Sequence, residues 1–227
     1  MRGHANHGWL DAYHSFSFAS WYDPSKVHFG MLRVLNDDTI APGMGFGMHP
    51  HDNMEIVTIP LEGALEHKDN TGGQGVIHRN EVQVMSAGTG VYHSEFNHSK
   101  TENCKLFQVW VFPKEKNVTP RYDQKMFKPA ERKNKFQTLV SSEKNGNHLW
   151  LNQDAVFSMA ELDAGQTLQY DIKFKGNGIY VMLVEGEAEV AGQKLSKRDA
   201  IGIWEADQFS LKAISSTEFL LIEVPMN

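Results

Sequence analysis

Apolar residues along this chain fall in short runs that are too brief, or too strictly alternating, for helices. "MEIVTIPLEG", "EVQVMSAG", "KLFQVWVFP", "IYVMLVEGEAEVAG", "DAIGIWEA" and "EFLLIEVP" are rich in β-branched and aromatic residues and bounded by Gly, Asp, Asn or Pro. That is the pattern of strands. Turn signals separate them, as in "KDNTGGQG", "SAGTG", "KGNG" and "EKNGN". No segment sustains the apolar period of a helix. Many short strands with Gly-rich turns predict an all-β sandwich or barrel.

The pattern breaks between Pro113 and Phe136, where "PKEKNVTPRYDQKMFKPAERKNKF" carries three prolines and a dense mix of charges. It reads as a surface connection between two β units. A structureless loop longer than about 12–15 residues is uncommon inside a compact domain. Two domains are therefore expected, residues 1–120 and 121–227. A weak internal repeat agrees. "GMGFGMHPHDNMEIVTIPLEGALEH" resembles "GQTLQYDIKFKGNGIYVMLVEGEAEV", each running from a glycine to an apolar strand that ends in Glu-Gly, at Glu62-Gly63 and Glu185-Gly186. The second copy has no histidine. The chain reads as a duplicated β barrel with one half equipped for chemistry.

Composition sharpens this picture at three points. At 41% hydrophobic residues a substantial core can form. The formal charge of −6 argues against binding nucleic acid through bulk phosphate attraction. One cysteine, Cys104, excludes an intrachain disulfide and is expected to be buried and inert. No apolar run approaches the roughly 20 residues of a membrane span, and "MRGHANHGWL" has no signal-peptide architecture. The expected location is the cytoplasm, with no membrane contact. Of eleven histidines, ten lie between His4 and His98 and only His148 falls in the second half. For His4, His7, His14 and His28 the expected places are loops or caps on polar groups.

Strand side chains alternate between faces. Taken as one strand over residues 49–61, His49, His51, Asn53, Glu55, Val57, Ile59 and Leu61 share a face, and its apolar members point it inward. In "GTGVYHSEFN", His93 and Glu95 share a face with Val91 and Asn97. Two neighbouring strands, each offering two inward ligands, would make a pocket of three imidazoles and a carboxylate. Such a set suits a first-row divalent ion and leaves room for water or substrate. Gln108, polar within "LFQVWVF", either lines that pocket or satisfies a backbone group. Phe46 and Met48 flank the ligands and suit an apolar wall. "TGGQG" and "GTG" are too short and wrongly placed for a phosphate loop, and no G-x-S-x-G elbow occurs. Asp171 and Glu205, in the second half, read as solvated carboxylates.

The first stretch resembles cupin motif one, through Gly43, His49, His51, Glu55 and Gly63, with one residue more than usual before the last glycine. "SAGTGVYHSEFN" resembles cupin motif two, with Ser86 in place of a proline and a longer step from Gly88 to His93. Together, "RGHANHGWLDAYHSFSFASWYDP", "LRVLNDD", "GFGMHPHDNMEI", "MSAGTGVYHSE" and "TPRY" resemble the pirin family, most closely from Arg2 to Tyr122. The resemblance implies two cupin barrels in tandem, with the metal in the first. It implies His49, His51, His93 and Glu95 as ligands, and moves Glu55 to a supporting position beside an imidazole. It implies one divalent transition metal, iron first, with Mn, Ni, Cu, Co or Zn accepted by the same ligands. Some bacterial members open flavonols such as quercetin with O2, as quercetin 2,3-dioxygenases, and Glu95 would then be the general base. Others bind regulatory protein partners, and a metal-dependent regulator is the alternative expectation.

Overall fold

The computed structural model describes residues 1–227, and its only helical element is a short 3-10 turn at Pro129–Glu131. No helix is long and apolar enough to cross a membrane. The chain divides into two compact units, Met1–Met126 with Leu151–Gln153, and Phe127–Trp150 with Asp154–Asn227.

The first unit contains β1 (Gly3–Asn6), β2 (Leu10–His14), β3 (Leu32–Ile40), β4 (Gly45–His51), β5 (Glu55–Glu62), β6 (Ala64–Asp69), β7 (Gln74–His78), β8 (Glu81–Ser86), β9 (Val91–Asn97), β10 (Cys104–Val111) and β11 (Arg121–Met126). Its larger sheet runs β1-β2-β3-β10-β5-β8-β11 and its smaller one β4-β9-β6-β7. The expected boundary after residue 120 moves to 126. Arg121–Met126, taken as connection from its charges, pairs residue by residue with β8, from Arg121 opposite Ser86 to Met126 opposite Glu81. Mixed charge suits an edge strand, whose outer face and free edge meet water.

The second unit contains β12 (Gln137–Ser141), β13 (Leu149–Trp150), β14 (Val156–Leu162), β15 (Thr167–Asp171), β16 (Asn177–Glu185), β17 (Glu187–Val190), β18 (Gln193–Ser196), β19 (Ala200–Ile203), β20 (Gln208–Ala213) and β21 (Thr217–Pro225). Its sheets run β13-β12-β14-β21-β16-β19 and β15-β20-β17-β18. The smaller sheets of the two units have the same connectivity, which is the repeat legible in the sequence. The repeated Glu-Gly falls at the same corner in each, between β5 and β6 and between β16 and β17. Gly63 and Gly186 both turn it with positive φ, +75° and +91°, a conformation costly for any residue with a Cβ.

The units differ in what fills them. In the second, Tyr170, Val181, Leu183, Phe209, Leu211, Phe219 and Leu221 belong to one buried apolar cluster, each such side chain contributing about 1.5–3 kcal/mol by leaving water. In the first, two apolar clusters lie beside the strands that carry the histidines. Leu10, Ile40, Leu65, Ile77 and Leu106 form one, and Ile56, Met85, Ala87 and Val91 another. Cys104 is buried in the first of these, and burial pushes its thiol up to about 12, so it is inert as expected.

Candidate metal centre

Residues 49–61 are not one strand. β4 ends at His51 in the smaller sheet, residues 52–54 turn a corner with Asn53 at φ 46°, and β5 starts at Glu55 in the larger sheet. The corner breaks the inferred parity. On β5 the inward positions are Ile56, which packs with Val91, and Thr58, which reaches Gln108. Glu55 therefore points away from the imidazoles. Its carboxylate accepts hydrogen bonds from Ser86 Oγ at 2.8 Å and from the Asn152 backbone N–H at 3.0 Å. It anchors the Leu151–Gln153 stretch of the first unit, and the expected contact with an imidazole is not made.

The four nominated ligands lie on neighbouring strands. β4 and β9 pair antiparallel with His49 opposite His93 and His51 opposite Val91. Gly45 permits this close approach, because a Cβ there would sit 2.2 Å from the Glu95 carbonyl oxygen. The register slips between Phe46 and His49, so β4 bulges by one residue relative to β9. A bulge changes which parity faces inward. Phe46 therefore joins the histidines inside, its ring 6.2 Å from His49 and edge-on to Trp9 at 5.1 Å. Met48 is thrown outward and is 57% exposed, so it forms no part of the wall.

His49, His51 and His93 each offer a ring nitrogen within 4.8 Å of the others. Two of these rings have a fixed tautomer. His49 donates Nδ1–H to the Gly47 carbonyl at 2.8 Å, leaving Nε2 as a lone pair. His93 Nδ1 lies 3.4 Å from His67 Nδ1, and His93 Nε2 is buried with no hydrogen-bond partner. An unpartnered buried polar atom costs about 1–3 kcal/mol, which a bound cation would recover. Burial, with His49, His51 and His67 close by, lowers the His93 pKa to about 2. Burial and His49 lower that of His51 to about 4. Both rings are neutral at physiological pH, the form in which imidazole binds a metal. The residues present fit a divalent transition metal.

Glu95 falls into a second cluster, His67, His93 and Glu95, whose ligand atoms also lie within 4.8 Å of one another. Gln108 Nε2 donates to both carboxylate oxygens, at 3.1 and 2.9 Å, and Thr58 Oγ1 donates to Gln108 Oε1 at 3.0 Å. Gln108 thus lines the cavity and holds the carboxylate. Burial raises the Glu95 pKa to about 7, against the opposing pull of the Gln108 hydrogen bonds.

His67 is the main residue the sequence reading missed. It lies on β6 opposite Glu95 in the register and is 1% exposed. Its Nε2–H donates to Asp69 Oδ2 at 3.1 Å, which leaves a single Nδ1 lone pair facing both Gln83 Nε2 at 3.2 Å and His93 Nδ1 at 3.4 Å. Burial alone would raise Asp69, but hydrogen bonds from Thr71, His67 and Gly73 outweigh it and keep it an anion.

A polar row crosses the inner face of the larger sheet to support these groups. His14, Asn36, Gln108, Thr58 and Gln83 are successive cross-strand partners on β2, β3, β10, β5 and β8. His14 was expected in a loop or cap. It is instead buried, with Nδ1 2.9 Å from Asn36 Oδ1. Each member is a polar residue inside an apolar strand, the same signal that singled out Gln108.

His49 and His51 on one side, and His14, Asn36 and Gln108 of this row on the other, line a cavity of about 170 Å³ together with Leu10, Ala12, Phe18, Asp38, Phe46, Glu95 and Trp110. Asp38 is 5% exposed, and burial beside Asp37 and Glu95 pushes its pKa up to about 8 from 3.8. With a folded pKa above the unfolded one, Asp38 disfavours the fold least at low pH, and its cost grows as pH rises from about 4 to about 8. Asp38→Asn is therefore expected to flatten the fall in melting temperature of the metal-free protein between about pH 5 and 9. Parallel melting curves of the two proteins across that range would count against it.

The family described as "Pirin" matches residues 1–111, and "Quercetinase C-terminal cupin domain" matches residues 138–224. The chain is 42% identical to a protein named quercetin 2,3-dioxygenase from Escherichia coli K12, over 99% of this chain and 95% of that protein. It is 41% identical to a pirin-like protein of Caulobacter vibrioides, over 97% of this chain and 95% of that one. Among solved structures, the nickel(II) complex of the bacterial pirin YhhW from Escherichia coli superposes with a TM-score of 0.93 at 41% identity, covering 99% of this chain and 95% of that one.

Proposed function

The chain belongs to the pirin family, and on that premise we propose that it is a metal-dependent dioxygenase of hydroxylated aromatic compounds, with flavonols such as quercetin as the first substrates to test. The observation that carries the reading is the convergence of the His49, His51 and His93 ring nitrogens on one another, with a buried unpartnered Nε2 on His93, beside a cavity lined by His49, His51 and the buried carboxylate of Glu95. His49, His51 and His93 would hold a divalent ion, with Glu95 completing the set. Relatives named for this activity and a pirin solved with nickel(II) support the reading. The ligand chemistry fits iron, the first expectation, and also Mn, Ni, Cu, Co and Zn.

When bound, such an ion lowers the pKa of a coordinated hydroxyl and provides a centre for chemistry with O2. The chain's own residues do the rest. Glu95, a buried carboxylate beside the histidine cluster, is placed to accept a substrate hydroxyl proton. Gln108 and Thr58 hold its two oxygens in place while the proton arrives. Phe46, Phe18, Leu10 and Trp110 offer apolar surface to a flat ring and keep water from the reacting end.

The test is incubation of protein loaded with Fe, Mn, Ni, Cu or Co with quercetin under air, following the flavonol absorption band and carbon monoxide release. Loss of the band with at least one metal, and none after chelation, is expected. An unchanged band with all five metals would remove quercetin as a substrate and leave the metal site standing.

A further inference from the structure

The cavity has a second polar wall that the proposed chemistry does not use. His14, Asn36 and Asp38 face it from β2 and β3, on the sheet opposite the three imidazoles. His14 Nδ1 and Asn36 Oδ1 pair at 2.9 Å, whereas Asp38 Oδ1 is buried and has no partner. Leaving a carboxyl oxygen unpaired inside a protein is unfavourable, and such a group in a cavity wall is preorganised for a ligand.

The chemistry of the wall limits that ligand. No lysine or arginine lines the cavity, and Glu95 lies in it with Asp38, so an anionic group has no counter-charge at this end. A carboxylic acid both donates and accepts, and so does a hydroxyl. The volume of about 170 Å³ is close to the roughly 150 Å³ of an apolar cavity that takes up benzene. It holds one aromatic ring; the rest of a three-ring flavonol would lie outside.

We propose that Asp38 is a specificity-determining residue that receives a hydroxyl of a single aromatic ring lying in the cavity, a ring that presents a second oxygen to the histidine cluster. This deepens the dioxygenase reading and rests on it for the orientation of the ring. The ligand class is a dihydroxylated ring, free or as the end of a larger molecule.

The test is calorimetric binding to the nickel-loaded protein, comparing phenol with the three dihydroxybenzene isomers, and 3-hydroxyflavone with quercetin. At least one isomer, or quercetin, is expected to bind about tenfold or more tightly than its partner lacking the hydroxyl. Asp38→Leu should reduce that preference to within about twofold, leave phenol binding in place and raise the melting temperature by relieving an unpaired buried acid. Asp38→Asn, which keeps shape and hydrogen-bonding capacity, should retain most of the preference and guards against a Leu variant that does not fold. A preference confined to the dihydroxybenzenes assigns a free ring; one confined to quercetin assigns the end of a flavonol. A preference that survives in Asp38→Leu, or no preference in the wild type, overturns the proposal. So does a lower melting temperature accompanied by equal loss of phenol binding. Quercetin breakdown is scored separately. Breakdown without any Asp38-dependent preference rejects this role and keeps the dioxygenase reading, and the preference without breakdown keeps this role and removes quercetin as a substrate.

Discussion

Glu95→Gln is expected to lower kcat toward an aromatic substrate by about 10²–10⁴-fold, the usual worth of a general base. The substitution is nearly isosteric, and Gln108 and Thr58 remain to hold the new amide, so the fold is expected to survive. The same variant carries a signature in ion binding to the metal-free protein. Burial holds the Glu95 acid up at about pH 7, so a divalent ion must displace a proton there at lower pH. Wild-type affinity should therefore rise with pH up to about 7 and then level, with one more proton released than in the variant. Titration calorimetry in two buffers of different ionisation enthalpy reads that difference directly. Equal proton release, or a kcat within a few-fold of wild type, would show that Glu95 is neither base nor ligand.

The sequence carried the fold class and the second half of the site well. Val91, His93, Glu95 and Asn97 are all buried and alternate with the less buried Tyr92, Ser94 and Phe96, as period two requires on an antiparallel strand with one face inward. It carried the first half less well, because the alternation there is interrupted twice. The bulge between Phe46 and His49 and the corner at 52–54 each shift parity by one. Phe46 came inside, Met48 went outside, and Glu55 turned toward Ser86 and Asn152. No residue type marks either break strongly, since Gly47 and Asn53 are common in turns that do not alter register. The second-half interior was legible because it is mostly apolar, and its buried carboxylate, Glu223, is satisfied locally by Tyr170, Lys173, Phe174 and Asn177.

What eluded the sequence reading has one physical cause. His67, Gln83, Thr58, His14 and the Asn36–Asp38 pair lie on five different strands, and each reads in the sequence as an ordinary polar strand residue. Only the strand order places them along one face. A burial-driven rule would nevertheless have flagged them together, because a polar side chain at an inward position must find a partner. Six such positions within one half of the chain, against the apolar interior of the other half, mark a polar cavity before any coordinates are known.

The chain from Asp69 through His67 to His93 supports the second large effect. Asp69 fixes the His67 tautomer, the His67 Nδ1 lone pair faces the His93 Nδ1–H and the Gln83 amide, and His93 is left with its Nε2 lone pair free for an ion. Outer partners of this kind typically contribute about 10–100-fold in metal affinity. His67→Leu removes the acceptor and is expected to weaken nickel binding by about that factor. His67→Gln keeps an oxygen that can accept from His93 and should restore part of the loss. Asp69→Asn should act in the same direction as His67→Leu but less, since the amide can still accept from His67. Because His67 also lies within ligand distance of Glu95 and His93, cobalt(II) spectra separate orientation from coordination. With His67 as an orienting residue, the cobalt-loaded Gln variant keeps the wild-type d–d bands and only its affinity changes. Altered band positions and intensities would instead make His67 a ligand, and the three-histidine assignment with Glu95 would have to be redrawn around His93.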